Sequence, residues 1–333
     1  MKRPRFLPDN MTLLLLAVVL TASIFPCTGN VAIGFDYLTT LMIGLLFFMH
    51  GAKLSREAVV AGMTHWRLHL TVLLFTFAVF PLLGLLLKPL MLWMITPELY
   101  VGILFLCVLP STVQSSIAFT SVARGNVPAA VCSASASNLL GIFLTPMLVS
   151  LIVVAHGDSH SSFDAVLKIV YQLLVPFVLG QIVRPWIAAW ITRHQSALKM
   201  VDQSSILLVV YVAFSEAVEQ GLWKQLPPMM LISLLLISAL LLALIMLMTT
   251  YASRRFGFTK EDEITVVFCG SKKSLASGVP MAKVLFASHA VGMVLLPLML
   301  FHQLQLMVCA VLAQRYARRP VDQPDQNLTK SKE

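Results

Sequence analysis

Cys269-Gly-Ser-Lys-Lys-Ser-Leu-Ala-Ser277 is the stretch on which the fold turns. It lies inside an apolar run, residues 263–286, and about 20 such residues cross a bilayer's hydrocarbon core as one α-helix. Gly270, and later Gly278-Val279-Pro280, interrupt that helix in mid-course. A single charge at the bilayer centre costs about 2.5–3.5 kcal/mol, so Lys272 and Lys273 side by side would cost roughly 5–7 kcal/mol by addition. The plain alternative is snorkelling to an interface. The nearest loop residues, Glu261–Glu263, are however about ten positions away, roughly 15 Å of helix. No other span has a carboxylate in its core, and Glu216 and Glu219 fall near a helix end. The lysine pair therefore reads as a functional cationic site, partnered by an anionic ligand or by the C-terminus of an opposing half-helix.

A second stretch answers the first. Leu109-Pro-Ser-Thr-Val-Gln-Ser-Ser-Ile117 also sets a helix breaker ahead of a cluster of small hydroxyl residues, within the apolar run 98–119. Broken helices in matching positions of two halves point to a binding site at the membrane midplane, because irregular backbone survives in lipid only where protein or a wet cavity surrounds it. Two ordinary proline kinks in packing helices are the plainer reading. In the following span Ser133, Ser137 and Gly141 share one face, which suits close helix packing, while Gln114 and Asn138 carry amides that need several partners. The candidate substrate- or ion-binding set is Ser111, Gln114, Ser115, Ser116, Ser133, Ser137, Asn138, Ser271, Lys272, Lys273 and Ser274.

Outward from these stretches the chain stays apolar. Of 333 residues 58% are hydrophobic and 12% charged, too few charges to cover a water-facing surface, so this is an integral membrane protein. The aliphatic runs are about 11–27, 35–52, 67–87, 98–119, 128–154, 166–186, 204–222, 229–251, 263–286 and 290–313. They predict ten transmembrane helices, not the short alternating strands of a β-barrel. The basic start Lys2, Arg3 and Arg5 also fits a signal peptide, but a retained first helix matches the style of the whole chain. With a cytoplasmic N-terminus, eighteen of the 24 Lys and Arg residues fall on that side. Lys88, Lys168, Lys224 and Lys283 fall opposite, and Lys272 and Lys273 within a span, so both ends are expected in the cytoplasm. The division runs 1–10 cytoplasmic N-terminus, 11–154 first five-helix repeat, 155–165 extracytoplasmic connection, 166–313 second five-helix repeat, and 314–333 cytoplasmic disordered tail. Five spans per half force the second half to enter from the opposite side, the arithmetic of an inverted repeat.

Several function classes drop out. The net charge of +9 is dispersed between apolar runs, which argues against nucleic-acid binding. The five cysteines and eight histidines show no disulfide, zinc or HExxH spacing, and no cofactor or metal is expected. His50 and His302, beside apolar runs, are either relays or locally satisfied. GxxxxGK[ST] is absent, so a primary pump is not expected. A membrane enzyme would need convergent acids, bases or ligands at depth, and none is visible. A ligand-binding sensor remains open as another class.

The motifs Phe48-Met-His-Gly-Ala-Lys-Leu-Ser55, Ala123-Arg-Gly-Asn-Val127, Leu144-Thr-Pro146, Pro176-Phe-Val-Leu-Gly180 with Arg184-Pro185, and Gly-Ser-Lys-Lys-Ser resemble those of the bile acid:sodium symporter family. The likeness covers about residues 10–315. It implies ten helices in two inverted five-helix repeats, with a panel bundle (spans 1, 2, 6 and 7) facing a core bundle in which broken helices 4 and 9 cross. It also implies a bacterial inner-membrane location. The family's sodium-coupled members hold sodium with an acidic residue and a glutamine of span nine, and with hydroxyls and an asparagine of spans four and five. Those positions fall here near Phe268 and Lys272, on Ala130 and Ala134, and on Ser115 and Ser116. The expectation is a secondary transporter of a small organic anion by alternating access, proton-coupled or uniport, with Lys272 and Lys273 in the place of the missing cation. A sodium-coupled organic anion symporter is the alternative.

Overall fold

The computed structural model describes residues 10–53, 65–153, 163–219, 221–286 and 291–319, and among these there is helix and no strand. The N-terminal residues with Lys2, Arg3 and Arg5, most of the expected 155–165 connection and the tail from Pro320 lie outside the described residues. Besides the short helices Lys88–Met94 and Leu222–Gln225, the helices are α1 Asn10–Ile24, α2 Gly29–Lys53, α3 Trp66–Leu86, α4 Pro97–Val108, α5 Gln114–Val122 and α6 Val127–Leu148. They continue as α7 Phe163–Arg193, α8 Gln195–Glu219, α9 Pro228–Arg255, α10 Lys260–Gly270, α11 Leu275–Leu285 and α12 Val291–Ala317. Six of them, α2, α3, α6, α8, α9 and α12, are long and apolar enough to cross a membrane.

The expected spans map onto these helices with informative differences at the ends. Helix α2 begins at Gly29 rather than residue 35, and α8 at Gln195 rather than 204. A hydropathy reading stops where side chains turn polar, whereas the backbone ladder stops only where a residue breaks it. For the same reason α12 runs to Ala317, so residues 314–317, assigned to the tail, are helical. The runs 98–119 and 263–286 are each two helices, α4 with α5 and α10 with α11, separated by non-helical Leu109–Val113 and Ser271–Ser274.

Local chemistry fixes several starts. Asn126 and Thr259 accept the N–H groups of Ala129 and Asp262 at the heads of α6 and α10, and Glu261, Asp262 and Glu263 face the positive end of α10. Ser274 accepts the N–H of Ser277 and caps α11 in the same way. Helix α3 contains a π-turn, Phe75–Val79, in which the Phe80 N–H bonds Phe75 O.

Two groups of helices emerge from the packing. One joins α1 to α8 and α2 to α7 and α8; the other gathers α3, α4, α5, α6, α9, α10 and α12. Helices α2 and α7 touch backbone to backbone. A Cβ on Gly51 would come 2.0 Å from Phe177 O, and one on Gly180 would come 2.0 Å from Phe48 O. The groups meet where α6 and α11 approach α7, and where α11 and α12 approach α8.

Candidate functional site

The two interruptions lie against each other and exchange hydrogen bonds. Ser111 Oγ donates to Cys269 O (2.6 Å), and the Ser274 N–H donates to Pro110 O (2.9 Å). Ser116 Oγ donates to Phe268 O (3.1 Å). Each broken segment thus satisfies carbonyls that the other exposes by ceasing to be helical, the condition for irregular backbone inside a membrane protein.

The next helix along each half holds its own break. Asn138 on α6 donates from Nδ2 to Ser111 O (2.6 Å), while Ser137 Oγ accepts the Ser111 N–H (3.0 Å). On α12, Gln305 does both jobs: Nε2 donates to Lys273 O (2.9 Å) and Oε1 accepts the Lys273 N–H (3.0 Å). Asn138 also joins the halves, since its Oδ1 accepts from Ser277 Oγ (2.8 Å). Gly141 fits because its missing Cβ would sit 2.8 Å from Pro110 Cβ. Ser133 Oγ instead pairs with His69 Nδ1 of α3 (2.7 Å). The face of α6 bearing Ser133, Ser137 and Gly141 therefore serves as a packing seam, and its hydroxyls are used within the protein.

Both lysines are fully buried, but their surroundings differ. The Lys273 ammonium donates to Thr76 O (2.7 Å), Cys107 O (2.8 Å) and Leu109 O (2.8 Å), which uses all three of its N–H bonds. Cys107 O and Leu109 O lie at the C-terminal end of α4, where carbonyls lack helical partners and the dipole is negative. Thr76 O is free for a different reason. In the π-turn a carbonyl bonds the N–H five residues on, and residue 81 is proline, which has none. The ring of Phe80 lies 4.2 Å from the same Nζ. Val108 O, the remaining carbonyl at this end, accepts from Thr145 Oγ1 (2.9 Å).

Lys272 Nζ has no hydrogen-bond partner among the described residues. It sits over the ring of Phe119 at 4.0 Å, with the ring of Phe268 at 5.6 Å. An aromatic face attracts a cation by about 2 kcal/mol when water is absent, which offsets only part of the burial of a bare ammonium.

Of the eleven candidates, Ser111, Ser116, Ser133, Ser137, Ser271, Lys272, Lys273 and Ser274 are buried, while Ser115 and Asn138 are half-buried and Gln114 is exposed. Ser271 Oγ returns to Val267 O (2.5 Å), and Ser115 Oγ donates to Thr112 Oγ1 (2.8 Å). The open surface of the site is formed by the first turn of α5, where Gln114 stands at a helix N-terminus without a side-chain cap. Ala118 and Ser121 continue this exposed strip along α5. Such an end presents unpaired N–H groups and positive potential, the local chemistry that receives anions.

Among the described residues no group of His, Cys, Asp and Glu is placed to hold a metal ion. The carboxylates of α10 are spent elsewhere: Asp262 accepts from Asn126 (2.8 Å), and Glu263 accepts from Arg254 (3.2 Å), Lys260 (2.6 Å) and Tyr316 (3.2 Å). Positions Ala130, Ala134 and Phe268 are fully buried and apolar. His50 Nδ1 meets Leu46 O one turn back (2.8 Å), and His302 Nδ1 accepts from Gln305 Nε2 (2.9 Å). Thr76, Gln305 and Phe119 escape a sequence reading. A proline five residues beyond Thr76 and a glutamine deep in the apolar run 290–313 were the available signals.

The chain is similar to known proteins along almost its full length. A model of the SBF-like CPA transporter family matches residues 9–318. The chain is 66% identical over 322 residues to "Uncharacterized protein PA2026" of Pseudomonas aeruginosa, covering 97% of each chain. It is 56% identical over 314 residues to "Putative symporter YfeH" of Escherichia coli, covering 93% of each. Against "Sodium/bile acid cotransporter 7" of Mus musculus it is 31% identical over 278 residues, covering 82% of this chain and 81% of that one. The family resemblance carried by the motifs therefore holds along almost the full chain: this multi-helix membrane protein belongs to the SBF-like CPA transporter family.

Proposed function

We propose that the protein is a secondary transporter of a small organic anion, working by alternating access, whose coupling does not use sodium at the family's usual positions. In this reading the polypeptide crosses the bacterial inner membrane ten times, in two inverted five-helix repeats with both ends cytoplasmic. Helices α1, α2, α7 and α8 form the panel, and the remaining helices the core. The reciprocity of the breaks supports the repeat: Ser111 bonds Cys269 O while Ser274 bonds Pro110 O, and Asn138 stands to the first break as Gln305 does to the second.

The observation that carries the proposal is the Lys273 ammonium seated among three carbonyls at the crossing of the broken helices. A tethered cation fills this cage of carbonyls, which a free metal ion could otherwise occupy, and its N–H bonds all go to backbone oxygens. Only a proton could leave such a place, so any ion coupling there is coupling to protons. The anion would bind at the uncapped head of α5, with Gln114, Ser115 and the N–H groups of the first turn as donors and the buried lysines as the source of positive potential.

The test begins with a thermal-shift screen of organic anions on purified protein, followed by counterflow of the best ligand in proteoliposomes, in sodium and in choline. Equal counterflow in both media supports the proposal. Binding without flux would establish a sensor instead, and flux that vanishes in choline would establish sodium coupling.

A further inference from the structure

Lys283 lies near the end of α11, on the far side of the molecule from the basic helix ends at Lys53, Arg193 and Lys260. Its Nζ is 3.0 Å from Asp36 Oδ1 on α2 and 3.7 Å from Glu216 Oε2 on α8. Helix α11 packs against α12 and α8 alike, but its head is hydrogen-bonded to Pro110 and Asn138 of the group that holds the first break, whereas α2 and α8 belong to the other group. These two ion pairs therefore tie the groups together rather than stabilising either one. Beside them the groups also touch closely: a Cβ on Gly292 of α12 would come 2.6 Å from Ala217 Cβ of α8. At the opposite end the contacts change character. The half-helices α5 and α10 pack chiefly against α3, α6, α9 and α12, all of their own group. The polar strip of α5, Gln114 and Ser121 with Ala118 between them, is exposed there.

We infer that Lys283, Asp36 and Glu216 form an ionic latch that holds the two helix groups together at the extracytoplasmic end, closing the α5 site to the outside while it stays open to the cytoplasm. The inference deepens the alternating-access reading and rests on it. The lysine is 16% exposed at its side chain, against 54% for Asp36 and 39% for Glu216, so the latch is wet enough to part and reform. A lysine shared by two carboxylates on different helices stays held when one of them lets go, and parting both exposes the seam between α11 and α8. Outward opening would thus require loss of both pairs, and removal of the charges would favour the outward-open form.

The experiment uses the full chain with Cys132→Ser, since the other four cysteines are buried. Ala118→Cys is added on the exposed strip of α5, and a membrane-impermeant maleimide is applied to right-side-out and to inverted vesicles. The expected result is fast labelling from the cytoplasmic side and slow labelling from the outside; equal rates from both sides would overturn the latch. Adding Lys283→Met should raise labelling from the outside about two- to fivefold, the shift that such half-exposed ion pairs hold. Asp36→Asn with Glu216→Gln, which leaves α11 untouched, should do the same. If residue 118 labels from the cytoplasmic side but neither variant labels faster from outside, the latch is wrong while the transporter reading stands. If it labels from neither side in any variant, no aqueous route reaches α5 and both readings fall.

Discussion

Gln305 and Lys273 are joined by two hydrogen bonds between one side-chain amide and the backbone of one residue: Oε1 takes the N–H at 3.0 Å, and Nε2 gives to the carbonyl at 2.9 Å. The pair lets Lys273 leave the helix without orphaning its own N–H and carbonyl. Because the same residue sends its ammonium to Thr76, Cys107 and Leu109, Gln305 sets the direction from which that ammonium approaches.

Replacing Gln305 with Leu should leave a buried N–H and a buried carbonyl unpaired, at about 1–3 kcal/mol each. The expected outcome is a fall of several degrees in the Tm of detergent-purified protein. Gln305→Glu, which keeps the acceptor and loses the donor, should fall between Leu and the parent. A Tm unchanged in both would mean that the break holds itself open.

The two lysines should respond in opposite ways. Lys273→Met strips three carbonyls of their donors and should cost about 3 kcal/mol or more. Lys272→Met replaces an ammonium with no polar partner by an apolar chain of similar length, and should leave the Tm unchanged or higher. Transport should be lost in Lys272→Met despite that stability. Full activity in this variant would remove Lys272 from the mechanism.

How far such contrasts could be foreseen depends on their range along the chain. Pro110 and Gly270 act on their own helices, so both breaks and the burial of the lysine pair were legible in the sequence. Ser133 and Ser137, spaced one turn apart, already suggested a seam. That Lys273 and not Lys272 is the satisfied cation was not legible, since its acceptors are backbone carbonyls, and a carbonyl has no letter in the sequence. Pro81 frees Thr76 O only because α3 relaxes into a π-turn, which tertiary packing decides. The early start of α8 was hidden because Gln195, Ser196, Lys199, Asp202 and Gln203 break up the apolar run without breaking the helix.

Gly51→Ala and Gly180→Ala should each force α2 and α7 apart, because the added carbon would sit 2.0 Å from a backbone oxygen that cannot rotate away. The expected cost is about 1–3 kcal/mol or more, read as a lower Tm and a lower yield of monodisperse protein. Gly44→Ala, with nothing within 4 Å of the added carbon, is the control and should be neutral or stabilising by about 0.4–1 kcal/mol.

Removing sodium should leave the folded protein unaffected. Melting curves in sodium, potassium and choline chloride at equal ionic strength are expected to superimpose within about 1 °C. One mole of bound metal stabilises only when its concentration exceeds its dissociation constant, so the comparison should extend to 200-fold excess over a millimolar site, where about 3 kcal/mol would appear. A sodium-specific rise would require a cation site elsewhere in the protein.

The carbonyl cage around Lys273 has an energetic corollary. A dissolved ion that docks and departs with each turnover carries its gradient's energy into the cycle; an ion anchored by its own side chain returns empty-handed. On the reading proposed above, a carrier built this way would be left with the voltage across the bilayer, the concentration of its cargo and the proton as its sources of drive.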